Sequence, residues 1–173
     1  LLHDVEMPLV PVLASMETEG ICIDTAYVHK MSASLDGEIS SIKEKIYEAS
    51  GEEFNLNSPK QLQHVLFDKM KLQSGKKTKT GVSTDESVLL KLAEKHSLPA
   101  MILEYRALNK LKTTYYDPIL ERTDERTHRL HTHFNQAVTA TGRLSSSEPN
   151  LQNIPVRTEK GKEIRRAFVS GEI

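Results

Sequence analysis

The stretch that decides the fold runs from Thr139 to Phe168 and reads TATGRLSSSEPNLQNIPVRTEKGKEIRRAF. It opens on hydroxyls and a flexible glycine–arginine pair, Gly142 and Arg143. Ser145 to Ser147 and three side-chain amides, Asn150, Gln152 and Asn153, come next, and Arg157, Lys160, Lys162, Arg165 and Arg166 close it. Few apolar residues interrupt this run, so it is not mainly core. It reads as a surface that donates hydrogen bonds to an anion. A metabolite phosphate usually sits on a glycine-rich loop leading into a helix N-terminus, and no glycine-rich run is present here. Long donors mixed with amides suit nucleic acid better, because Arg, Asn and Gln can all donate to the N3 and O2 acceptors of the minor groove. An ordinary polar surface loop capped by a charged strand fits the same composition.

Outward from that stretch, composition sets the bounds. A chain of 173 residues suits one domain with a modest core, or two small subdomains. The net charge is −1, so contact with a polyanion has to come from local clusters rather than global charge. The single cysteine, Cys22, excludes an intrachain disulfide and fits a reducing cytoplasm. Between Ile21 and Ile23 it reads as a small buried residue, not a nucleophile. No apolar run approaches membrane-spanning length, and no signal-peptide pattern follows Leu1. Leu1 is not a natural start and Glu172-Ile173 no obvious stop, so a piece of a longer protein is expected.

Residues 4–20 carry Val5, Leu9, Val12, Leu13 and Met16 at helical spacing, with Gly20 as C-cap. Pro8 and Pro11 predict that this helix starts near Glu6 or breaks there. Ile21–Ile23 reads as a short extended link, and Asp24 as the cap of the next helix. That helix, about 27–49, has an apolar stripe of Val28, Met31, Leu35, Ile39, Ile42, Ile46 and Ala49, and Gly51 ends it. One stripe needs a partner, expected at 99–121, where Met101, Tyr105, Leu108, Leu111, Tyr115 and Ile119 recur; the two helices are expected to run antiparallel. On its other face Arg106, Lys110 and Thr113 align at i, i+4 and i+7, where they can meet a backbone phosphate or simply face water.

Between the long helices, residues 52–98 read as a tip of two short helices. Asn57-Ser58-Pro59-Lys60-Gln61 offers an N-cap serine, proline at N1 and Gln61 at the capping-box position. Ser83-Thr84-Asp85-Glu86 reads as a second capping box. The connection holds Lys76, Lys77, Lys79, Thr78 and Thr80 between Gly75 and Gly81, either an anion site beside two helix N-termini or a solvated loop. After Thr123 the period changes to two: Leu130, Thr132, Phe134 and Gln136 alternate with His131, His133 and Asn135, which predicts a strand. His128, His131 and His133 raise a zinc reading, but no Cys or acidic residue lies at ligand spacing, so no metal site is expected. A last strand is expected over Ile164–Val169.

Several of these runs carry a resemblance. Gly142-Arg143-Leu144-Ser145-Ser146, Pro149-Asn150-Leu151-Gln152-Asn153-Ile154-Pro155 and Arg165-x-x-Phe168 together resemble the family A DNA polymerases. Tyr105-Arg106-x-x-x-Lys110-Leu111-Lys112-x-Thr114-Tyr115 is similar to the same family, as is the tip pattern. The resemblance spans the whole chain and implies an α+β fold, mainly α. Residues 1–23 would form a lead-in helix. Residues 24–118 would be a thumb, a long helical hairpin with a small helical tip, and residues 119–173 the start of a palm with a few strands.

The resemblance also implies roles. Arg143 would reach the minor groove at the primer-terminal pair, with Asn150, Gln152 and Asn153 along the template and primer path. Gln136, Thr139, Thr141, Ser145, Ser146 and Arg157 would lie along the same surface. Arg106, Lys110, Lys112 and Thr114 would meet backbone phosphate. At the tip Asn57, Ser58, Lys60, Lys77, Thr78, Ser83 and Thr84 would grip the duplex. Asn135 departs from the histidine of many members. Catalytic residues are expected to be absent: the family's metal-binding carboxylates would fall after Ile173, and the fingers that bind the nucleotide are missing. The parent would be a DNA-directed DNA polymerase of replication and repair, in the bacterial cytoplasm and nucleoid. It would act as a monomer on primer-template DNA with Mg²⁺ and deoxynucleoside triphosphates. Two other readings stay open: a stand-alone duplex-binding module, and a helical-hairpin protein that binds another helix through its apolar stripe.

Overall fold

The computed structural model describes residues 1–73, 77–78, 81–155 and 158–171. Two compact units divide the chain: Leu1–Ala33 with Leu111–Ile173, and Ser34–Lys110. A π-helical turn, Leu2–Glu6, leads into α1 (Met7–Glu19), β1 (Ile21–Ile23) and the long α2 (Thr25–Ser50). Then come α3 (Pro59–Gln63) with its π-helical continuation His64–Lys69, the pair β2 (Lys77–Thr78) and β3 (Gly81–Val82), and α4 (Glu86–Ala93). α5 (Ser97–Leu111) runs through a π-helical turn, Lys112–Tyr116, into α6 (Asp117–Arg122). The chain ends with β4 (Arg129–Leu130), β5 (His133–Asn135), β6 (Ser145–Ser147), α7 (Glu159–Arg165) and β7 (Phe168–Val169). The fold is α+β and mainly helical, with small antiparallel sheets, as the sequence predicts.

Most of the α2 stripe is where its spacing puts it. Val28, Leu35, Ile42 and Ile46 are buried and Met31 and Ile39 half-buried. Ala49 is exposed; Ser50 takes the last inward position, its hydroxyl bonded to the Tyr47 and Glu52 carbonyls at 3.2 and 2.9 Å. Asp24 caps the helix by accepting from Tyr27 N at 2.9 Å, and Gly51, at φ 71°, closes it by donating to the Tyr47 carbonyl. α5 starts at Ser97, two residues before the expected proline. The π turn at Lys112–Tyr116 widens the helix by one residue, so Tyr116 is buried beside Tyr115 although it lies outside the expected stripe.

In the Ser34–Lys110 unit, the core is Leu62, Val65, Leu66, Leu89, Ile102 and their buried neighbours. Ser58 is the N-cap of α3, its hydroxyl accepting from Gln61 N at 3.5 Å. The box does not close in the expected way, because the Gln61 side chain reaches past the cap and accepts from Asn55 N at 2.6 Å. At α4 the cap is Asp85, not Ser83: Asp85 Oδ1 accepts from Val88 N at 3.0 Å, while Ser83 Oγ accepts from Asp85 N at 3.2 Å, one step upstream. Asp85→Ala is therefore expected to cost about 1 kcal/mol in urea unfolding, with Asp85→Asn retaining most of that stability. Equal losses for both variants would mean that the charge matters and the cap does not.

In the other unit, β1 is the central strand of the sheet β4–β1–β7, with Ile21 opposite Leu130 and Cys22 opposite Val169. Cys22, Ile23, Leu130, Ile164 and Ala167 are buried around it. The single strand expected over 130–136 is two strands in different sheets. The break falls at Thr132, whose hydroxyl turns to the Ser147 and Pro149 carbonyls at 2.9 and 2.8 Å. β5 then pairs with β6, Phe134 opposite Ser146. The strand expected over Ile164–Val169 is only its last two residues: Ile164 and Arg165 end α7, which Thr158 caps by accepting from Gly161 N at 3.1 Å, Arg166 and Ala167 form a turn, and β7 begins at Phe168. Gly161 is required there, since a Cβ would lie 2.5 Å from the Pro155 carbonyl oxygen.

α1 starts at Met7 and continues through Pro11. Of its apolar residues only Leu13 is fully buried; Val12 and Met16 are about half exposed, as is Val5 in the preceding turn. Polar contacts hold α1 to β5. Glu17 accepts from Phe134 N at 2.5 Å and lies 3.5 Å from His133 Nδ1, and His131 Nδ1 donates to the Glu17 carbonyl at 2.8 Å. The Phe134 N–H holds the Glu17 carboxyl below its ordinary 4.5; partial burial opposes this and His133 reinforces it. A carboxylate lowered in the folded state contributes stability above its unfolded value, and the contribution is lost as pH falls through the folded value. The melting temperature is expected to fall more steeply below about pH 4.5 for the parent chain than for Glu17→Gln. Parallel acid limbs would remove Glu17 from the account.

Candidate nucleic-acid interface

The sequence expects donors on the loop from Thr139 to Asn153, and the structure leaves the side chains of Arg143, Asn150, Gln152 and Asn153 exposed. Gly142, at φ 72°, makes a turn that a side chain would strain, and its N–H donates to the Thr139 carbonyl. The Thr139 hydroxyl donates to the Arg143 carbonyl. The Arg143 backbone is thus held from behind while its side chain is exposed, with no hydrogen bond or ion pair among the described residues. Thr141 beside it is exposed, and Thr139 and Ser145 are half-buried.

The next segment, 148–153, is pinned from within. Ser146 is buried, and its Oγ accepts from Leu151 N at 3.1 Å and Gln152 N at 3.4 Å while donating to Asn150 Oδ1 at 3.4 Å. Asn150 Oδ1 also accepts from Gln152 N at 3.1 Å. Thr132 holds the Ser147 and Pro149 carbonyls, and the Tyr115 hydroxyl donates to the Asn153 carbonyl at 2.7 Å. The Glu148–Pro149 peptide is cis. Asn150, Gln152 and Asn153 then present exposed side chains on a loop whose backbone is fixed. Ser146 stands inside this surface, so any part it has is exerted through the loop.

Gln136 is held differently: its amide donates to the Glu6 carbonyl at 3.1 Å and to Glu6 Oε2 at 2.8 Å. Lys112, half-buried, reaches Ser32 Oγ at 3.1 Å and Asp117 Oδ1 at 3.0 Å, whereas Thr114 is exposed. Nearby, burial pushes the Tyr116 hydroxyl up to about 12, the Glu163 and Tyr27 charges adding to it, so it stays neutral. Asn135 Nδ2 donates to Ser147 Oγ at 3.3 Å.

Within the Ser34–Lys110 unit, Lys110 and Lys60 are exposed. Arg106 donates to the Thr84 carbonyl at 2.6 Å; burial pulls its guanidinium below its ordinary value and the Asp85 charge opposes. Asn57 is exposed, its Oδ1 3.5 Å from the Tyr105 hydroxyl, and Ser58 is the α3 cap. Ser83 and Thr84 are buried and shape the start of α4. Arg157, Lys76, Lys79 and Thr80 lie outside the described residues, as do the side chains of Lys77 and Thr78.

Sequence reasoning missed the residues behind the loop. In the sequence Thr132 reads only as a strand position, and Tyr115 as part of a stripe and of a family motif, with no partner for its hydroxyl. The Tyr115 signal was available: a buried tyrosine hydroxyl needs a partner. Among the described residues no three His, Cys, Asp or Glu side chains converge as metal ligands.

The loop thus presents exposed arginine and amide donors on a fixed backbone, in a mainly helical α+β chain. The chain belongs to DNA polymerase family A, whose family profile matches residues 25–173. It is 52% identical over 172 residues to DNA polymerase I of Geobacillus stearothermophilus, covering 99% of this chain and 20% of that protein. To thermostable DNA polymerase I of Thermus thermophilus it is 53% identical over 172 residues, covering 98% of this chain and 21% of that protein. Among solved structures it is similar to the POL domain of Pol1 from M. smegmatis, in complex with DNA primer-template and dNTP. The TM-score is 0.90 and the identity 45%, over 98% of this chain and 30% of that one. The chain spans about a fifth of the length of the curated relatives it matches.

Proposed function

We propose that this chain is the duplex-gripping part of a DNA-directed DNA polymerase that extends a primer by nucleotidyl transfer in bacterial replication and repair. The observation that carries this is the exposed Arg143, backed by the pinned loop of Asn150, Gln152 and Asn153. Such donors match minor-groove acceptors common to all base pairs, so they hold a duplex without reading its sequence. Exposed Lys110, Thr114 and Lys60 fit backbone phosphate. Arg106 and Lys112 have internal partners and support α5 and its π turn, while Ser58, Ser83 and Thr84 shape the tip.

In this reading residues 1–23 are the lead-in, 24–118 the thumb and 119–173 the start of the palm. The parent enzyme acts as a monomer in the cytoplasm, with deoxynucleoside triphosphates and Mg²⁺ bound by segments beyond this one. When bound, the ion supplies charge stabilisation and an activated primer hydroxyl. The work of this segment in that reading is to bind and orient the duplex. This segment by itself is expected to give no primer extension.

The test is fluorescence-anisotropy binding to a primer-template duplex across a salt series. Log K is expected to fall linearly with log salt, by about 0.9 for each phosphate contacted. A chain shown to be folded by circular dichroism that does not bind at low salt would overturn the reading.

A further inference from the structure

The hydrogen bonds around Asn150 settle which end of its amide faces outward. Its Oδ1 accepts from the backbone N–H of Gln152, which can only donate, and from the Ser146 hydroxyl. Oxygen and nitrogen therefore cannot exchange places without setting one donor against another. The Ser146 hydroxyl is saturated as well: two lone pairs take the Leu151 and Gln152 N–H groups and its one proton goes to Asn150. It is buried, so water cannot replace it.

We infer that Ser146 is a positioning residue that fixes the polarity of Asn150, so that this amide offers only N–H donors and selects acceptor groups on its partner. The inference rests on the duplex-binding reading and deepens it. On a duplex the acceptors are purine N3 and pyrimidine O2, and replacing a purine by its 3-deaza analogue removes one of them without changing charge. Loss of the Ser146 hydroxyl leaves the Leu151 N–H without its acceptor and Asn150 Oδ1 held by the Gln152 N–H alone. With one of its two restraints gone and the loop around Leu151 loosened, the amide is held less firmly and its preference for an acceptor weakens even though Asn150 itself is intact.

The experiment has two arms on the full chain. The first, without DNA, follows backbone amide exchange in the parent, Ser146→Ala and Ser146→Thr. Protection at Leu151 is expected to drop at least tenfold in Ser146→Ala, to be retained in Ser146→Thr, and to be unchanged at Ile164 in both. Unchanged protection at Leu151 in a folded Ser146→Ala would overturn the inference. The second arm measures binding to duplexes carrying a 3-deaza purine at each pair near the primer end. The pair whose deaza penalty vanishes in Asn150→Ala is the one Asn150 touches. At that pair the several-fold penalty of the parent is expected to shrink at least twofold in Ser146→Ala. A full penalty in Ser146→Ala, or no pair sensitive to Asn150→Ala, would overturn the inference. If the parent binds no duplex while Leu151 protection falls as expected, the duplex reading fails and the control of Asn150 by Ser146 stands.

Discussion

Arg143→Ala is expected to weaken binding of a primer-template duplex by one to two orders of magnitude, the equivalent of about 1.5–3 kcal/mol for charge-assisted hydrogen bonds. Two features make the effect this large. The guanidinium has no partner among the described residues, so nothing has to be broken before it binds. Its backbone is already held by Thr139 and by the turn at Gly142, so little ordering remains to oppose association. Because the proposed contact is to base edges, the salt dependence of the variant should match that of the parent. Lys110→Ala should behave in the opposite way, with a modest loss of affinity and a log–log salt slope reduced by about 0.9. Both follow from one salt series on three proteins. If Arg143→Ala lowers the slope and leaves low-salt affinity unchanged, Arg143 is a phosphate contact and the minor-groove assignment is wrong.

Gly20→Ala is expected to destabilise the chain by on the order of 3 kcal/mol, from backbone strain and overpacking together. Gly20 lies at φ 66°, ψ −170°, a conformation essentially reserved for glycine, between α1 and β1. A Cβ there would stand 2.8 Å from the His131 ring and 2.9 Å from the Leu130 carbonyl oxygen. Neither neighbour gives way easily. His131 is tied to the Glu17 carbonyl, and Leu130 pairs with Ile21 in the central sheet. The measurement is urea unfolding followed by circular dichroism, where the midpoint should fall at unchanged m. A change below about 0.5 kcal/mol, within the range of an ordinary surface substitution, would mean that the junction is not built as described.

Local chemistry made much of this fold legible. The stripe of α2 and its caps at Asp24 and Gly51 follow from helical spacing and the few residues flanking it. β1 and Gly20 follow in the same way, and the donor-rich loop is visible from composition alone. Where two local solutions compete, the sequence does not choose between them. Ser83 and Asp85 are both good caps, and the outcome rests on which of them the buried face of α4 brings into line with Val88. Thr132 alternates correctly for a strand, yet two carbonyls fifteen and seventeen residues away draw its hydroxyl and divide β4 from β5.

The same division runs through the interface. The sequence by itself determined which donors the chain owns, and its motifs identified the family. Only the tertiary structure decided which donors are free. Arg143, Gln152 and Asn153 face outward, Ser146 turns inward, and Gln136 and Arg106 are bonded to Glu6 and Thr84. The physical reason is the range of the bonds concerned. Caps and stripes join residues within a turn or two. The bonds of Ser146 and Asn150 within the loop are local too. Those that tie it to the rest of the fold join Thr132 to Pro149, seventeen residues apart, and Tyr115 to Asn153, thirty-eight apart, and exist only once those elements have packed.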